Sequence, residues 1–86
     1  MNKISKLGKL RKKVNIVDRK LISLLAKRFK TTKEIILAKK KDGLAIKDGR
    51  REDFILREAS KLAEKMKLNT EFITDIFKRI LKESKK

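Results

Sequence analysis

Residues 6–41 read KLGKLRKKVNIVDRKLISLLAKRFKTTKEIILAKKK, and this stretch decides the fold. In heptads from Leu7 the seam runs Leu7, Leu10, Val14, Val17, Leu21, Leu24, Arg28, Thr31, Ile35, Ala38, which is the spacing of one face of a helix. Neither Pro nor Gly occurs between Lys9 and Lys41, so a single continuous helix is predicted. At ~1.5 Å per residue such a helix is roughly 50 Å long. The seam is apolar except where Arg28 stands in place of a Leu or Ile and Thr31 follows it. Arg11 and Lys39 flank it one position beyond Leu10 and Ala38. Cations on a packing face imply a bound anion, although a lone Arg there also serves as a snorkelling surface residue or a setter of register.

Working outward, the 86 residues make one domain, 1–86, with a small core. A compact monomer of this size has a diameter of roughly 30 Å, which the long helix overhangs. A second copy packed along the same seam is the remedy, and an all-α homodimer is expected.

The rest of the chain folds back as two shorter helices. Ser5 is the expected N-cap of the first helix, after a short lead-in over Met1–Ser5, and Asp42-Gly43 ends it behind the cationic run Lys39-Lys40-Lys41. The loop Asp42–Gly49 (DGLAIKDG) is bracketed by two Asp-Gly pairs, with Leu44-Ala45-Ile46 expected to turn one or two side chains inward. Asp48 caps a second helix over about residues 49–67, whose apolar face reads Ile55, Ala59, Leu62, Met66, with Phe54 and Ala63 beside it. Asn69 or Thr70 caps a third, burying Phe72, Ile73, Ile76, Phe77, Ile80 and Leu81; one more turn reaches Ser84.

Composition narrows the chemistry. There are 27 Lys and Arg against 11 Asp and Glu, a net charge of +16, which calls for an anionic partner: nucleic acid, an acidic membrane surface or a small polyanion. Cys and His are both absent, removing thiolate and imidazole metal ligands and the commonest acid–base group. The first residues lack the apolar run of a signal peptide and no stretch approaches ~20 apolar residues, so a cytoplasmic protein is expected. The four Phe fall mostly on core faces and provide no stacking platform, and the basic residues are spread over all three helices. A basic helical nucleic-acid-binding protein is therefore the weaker alternative, and a structural coiled-coil adaptor leaves Arg28 without a role.

Taken in order, LRKKVNIVDRKLISLLAKR over residues 10–28, then Lys39, then KDGRRE over 47–52, then FKRILKES over 77–84, resembles the all-helical class of chorismate mutases. The resemblance covers about Leu7 to Ser84 and rests on Leu10-Arg11, Asp18, Leu24 to Arg28, Lys39 and Asp48-x-x-Arg51-Glu52. It implies an intertwined homodimer of three-helix chains, with two sites each completed by Arg11 of the partner. It further implies that Arg11 and Arg28 bind the two carboxylates of chorismate, with Ser84 as a neutral donor, and that Lys39 donates to the ether oxygen. Arg51 lines the carboxylate region, Asp48 (through its backbone) and Glu52 hold the ring hydroxyl, and Ile35, Ile55 and Leu81 form apolar walls. The implied reaction, chorismate to prephenate, is a pericyclic rearrangement that needs no proton transfer, metal or cofactor.

The resemblance breaks at one place. The family usually has a glutamine one turn beyond Ser84 as a second donor to the ether oxygen, and this sequence ends at Lys86. Lys39 alone, a terminal Lys, or water would fill that role, or activity is low, or the sequence is part of a longer chain. A pyruvate-eliminating lyase acting on isochorismate shares the fold, but such lyases tend to shorten the loop after Lys39, which is full-length here.

Overall fold

The computed structural model describes residues 5–86. Among these residues the protein is all α, with α1 over Lys6–Lys41, α2 over Gly49–Lys65 and α3 over Thr70–Ser84. The expected lead-in lies, apart from Ser5, outside the described residues. By compactness the chain divides into two units, Met1–Glu34 and Ile35–Lys86.

In the first unit, α1 opens with Ser5 as expected. The Gly8 N–H donates to Ser5 Oγ at 3.4 Å, and the Lys9 N–H reaches the Ser5 carbonyl at 3.3 Å. No residue of α1 is buried. Leu7, Leu10, Val14, Val17 and Leu21 are 45–61% exposed, so the apolar stripe that the sequence lays out is uncovered. Apart from Gly8, the half-buried residues of α1 in this unit are Leu25, Arg28, Phe29 and Thr32; in the second unit they are Ile36 and Lys39. Thr31, Ile35 and Ala38, the later members of the expected seam, are exposed in the single chain.

The second unit begins where α1 stops. Gly43 takes the left-handed conformation (φ 69°), its N–H donating to the Lys40 carbonyl and the Leu44 N–H to the Lys39 carbonyl at 3.2 and 2.8 Å. These two bonds satisfy the orphan carbonyls of the helix end, and only Gly adopts that backbone without strain. The loop side chains Leu44, Ala45 and Ile46 are all exposed, against the expectation that some turn inward.

Asp48 caps α2, accepting the Arg51 N–H on Oδ1 at 3.1 Å, and Asn69 rather than Thr70 caps α3, accepting from the Phe72 N–H at 2.9 Å. Between them, Lys67 stands at φ 59° and closes α2 as Gly43 closes α1. Its N–H reaches the Glu64 carbonyl at 3.1 Å, and the Leu68 N–H reaches the Ala63 carbonyl at 2.8 Å. That turn ends α2 at Lys65, two residues before its expected end.

Helices α2 and α3 pack against each other. Their core is Ala63, 2% exposed, and Leu81, 9% exposed. Around it Ile55, Leu56, Ala59 and Ser60 of α2 and Ile73, Ile76, Phe77 and Ile80 of α3 are half-buried. Leu62, Met66 and Phe72, expected on the buried faces, are instead mostly exposed. The packing face of α2 is turned one position later than expected, running through Ile55, Leu56, Ala59, Ser60 and Ala63, because packing against α3 fixes the rotation that periodicity leaves open. No described helix is long and apolar enough to cross a membrane.

Candidate active site

The anion-binding candidates divide between the two units. In the first, Arg11 is exposed on α1 beside Leu10, and Arg28 is half-buried further along the same helix. Their placement follows from helical continuity over residues 6–41. Ile35, which opens the second unit, is 48% exposed, and its neighbour Ile36 is the half-buried one.

The second unit holds the remaining candidates. Lys39 is half-buried, and its ammonium donates to the Ile46 carbonyl at 3.3 Å. The left-handed turn at Gly43 brings that carbonyl back over the end of α1, so the loop fixes the cation. An ammonium has three donors, and the remaining two are left for a ligand oxygen. Asp48 is committed to the start of α2: its carboxylate accepts from Arg51 and its carbonyl from the Glu52 N–H at 3.0 Å. A carbonyl has a second lone pair, which remains for a hydroxyl donor.

Arg51 is exposed, and its guanidinium lies 5.2 Å from the centre of the Phe54 ring. Stacking on an aromatic face orients a guanidinium without using any of its five N–H donors. Glu52 is half-buried in the first turn of α2, where its charge suits the helix dipole. Its Oε2 accepts from the Lys85 ammonium at 2.8 Å. Ile55 is half-buried and Leu81 buried, both in the packing between α2 and α3. Ser84 is half-buried and donates its hydroxyl to the Ile80 carbonyl at 2.7 Å. Turning that hydroxyl toward a ligand means exchanging an intrahelical bond for an outside one.

The ion pair Glu52–Lys85 joins the start of α2 to the end of α3 and so brings Glu52 close to Ser84. At this end of the helix pair the chain brings together Arg51, stacked on Phe54, and the Glu52 carboxylate paired with Lys85. Sequence reasoning missed the Lys85–Glu52 contact because the two residues are 33 positions apart and no periodicity links them. The Arg51–Phe54 stack, by contrast, was open to reading as an i, i+3 neighbour pair.

The family model for chorismate mutase type II matches residues 10–86. The chain is 38% identical over 74 residues to a bifunctional chorismate mutase/prephenate dehydratase of Buchnera aphidicola subsp. Schizaphis graminum, covering 86% of this chain and 19% of that protein. It is 33% identical over 81 residues to the T-protein of Enterobacter agglomerans, covering 94% and 22% respectively. A chorismate mutase of Methanocaldococcus jannaschii is 29% identical over 82 residues, covering 95% of this chain and 83% of that protein. The chain thus spans about a fifth of the length of the first two relatives and most of the third.

Proposed function

Because the chain belongs to the chorismate mutase type II family, we propose that it converts chorismate to prephenate, a step toward the aromatic amino acids. The observation that carries this reading is the family match over residues 10–86, which takes in every candidate site residue from Arg11 to Ser84. The relative from Methanocaldococcus jannaschii, a chorismate mutase matched over most of its own length, supports an activity that resides in a chain of this size.

The chemistry is a Claisen rearrangement: the ether C–O bond breaks as a C–C bond forms in one pericyclic step. The protein's task is to hold a flexible dianion in its reactive conformer and to place positive charge where the ether oxygen becomes negative. Arg28 and the partner's Arg11 clamp the two carboxylates as bidentate forks, with Ser84 as a neutral donor. Lys39 supplies a point charge at the ether oxygen, and its tie to Ile46 supports that role because it orders the ammonium beforehand. Arg51 lines the carboxylate region, the Asp48 backbone and Glu52 receive the ring hydroxyl, and Ile35, Ile55 and Leu81 enclose the ring.

The reading includes a homodimer. Its support is the exposed stripe Leu7, Leu10, Val14, Val17 and Leu21, an apolar face that water alone does not stabilise. A second copy laid along it covers these residues and carries Arg11 toward the partner's site. In this reading residues 1–86 act as one domain, in the cytoplasm where such biosynthesis runs.

The direct test follows chorismate loss and prephenate appearance in parallel with isochorismate. Prephenate formation above the uncatalysed rate supports the mutase; pyruvate release from isochorismate alone replaces it with the lyase; neither refutes both. The shared site is tested by mixing Arg11→Ala and Arg28→Ala, which restores one intact site per mixed dimer. No recovery despite demonstrated subunit exchange removes the trans-acting Arg11.

A further inference from the structure

We propose that Lys85 is a positioning residue for Glu52, holding its carboxylate for the substrate's ring hydroxyl and cancelling its charge beside a dianion. The inference rests on the mutase reading and adds one residue to it.

Three observations carry it. Lys85 Nζ lies 2.8 Å from Glu52 Oε2, the distance of a charge-assisted hydrogen bond. The pair is sheltered, its side chains 37% and 26% exposed, whereas those of Lys61–Glu58 and Lys86–Glu83 are all more than half exposed. Those two pairs join residues three apart, whereas this one connects different helices and ends on a candidate site residue.

The physical need is clear. A bare carboxylate facing a dianionic substrate repels it, yet an ionised carboxylate is the strongest acceptor for a hydroxyl. A cation at hydrogen-bond distance resolves this: one oxygen is neutralised and fixed, and Oε1 is left for the hydroxyl. Lys85 itself is held at the C-cap of α3 (φ −94°), with its N–H on the Lys82 carbonyl at 3.3 Å. Its ammonium thus approaches Glu52 from a fixed backbone. It acts through Glu52 and does not touch the reacting atoms.

The test is a kinetic cycle on the full chain with chorismate. Lys85→Met keeps the hydrocarbon stem and deletes the charge; it is expected to lower kcat/KM about threefold to tenfold, mainly through KM, in line with a partly sheltered ion pair. Lys85→Arg restores most of the loss. In a Glu52→Gln background, Lys85→Met has no further effect, because the carboxylate it serves is gone. Melting temperature and circular dichroism are followed for each variant. A lowered melting temperature with unchanged kinetics makes the pair a structural tie between helices and overturns the proposal. A loss that persists undiminished in the Glu52→Gln background means Lys85 acts on the substrate itself and also overturns it. An inactive wild type overturns the mutase reading and this inference together, whereas an active wild type with unchanged Lys85→Met overturns this inference alone.

Discussion

The first half of α1 and the α2–α3 pair carry apolar stripes of similar length, but they meet different fates. On α2 and α3 the stripes find each other and produce a core around Ala63 and Leu81. On α1 the stripe from Leu7 to Leu21 stays open. Amphipathic patterning therefore specifies which face of a helix must be covered without saying by what. The α2–α3 pair covers its own stripes, whereas the stripe of α1 is the surface on which the proposed dimer would form.

The comparison is broken most severely by a charge on the open stripe. Val17→Asp is expected to leave helix content intact but to prevent dimerisation, with a loss of activity of at least about 10²-fold as the partner's Arg11 is withdrawn. Sedimentation and turnover measured over a range of protein concentrations check it. Lys39→Ala is expected to lower kcat by about 10²–10³-fold without changing the oligomeric state, the typical cost of losing one preorganised donor.

On the packed side the effects are on stability. Leu81→Ala deletes a buried side chain and should cost about 2–4 kcal/mol in denaturant unfolding. Asp48→Ala removes the α2 cap and should cost about 1 kcal/mol. The smallest effect has the opposite sign. Lys67→Gly relieves a left-handed backbone at φ 59° and should stabilise by about 0.5–1 kcal/mol, seen as a higher unfolding midpoint.

Much of this was legible in the sequence because it depends on local chemistry. Asp48 and Asn69 are cap residues whose side chains reach N–H groups three residues on, and Asp42-Gly43 is a stop that needs no tertiary information. Helix rotation was less legible. The face of α2 came out one position off because period alone fixes a stripe only to within neighbouring residues, and packing against α3 decides the rest. Lys67 was hidden because a non-Gly residue gives no signal of left-handed backbone. In the candidate site the residue types and their order could be read, but whether the loop would hold Lys39 or Lys85 would meet Glu52 could not. Both contacts depend on where the chain comes back in space.

The bond from Lys39 to the Ile46 carbonyl has a thermodynamic consequence. A free lysine side chain surrenders up to about 2 kcal/mol of rotamer entropy when it is immobilised. Here that loss is taken during folding, before any ligand arrives. Binding through Lys39 should therefore carry a smaller entropic penalty than binding through a mobile cation, a difference that titration calorimetry on a variant with a loosened loop, Gly43→Ala, would register as a less favourable binding entropy.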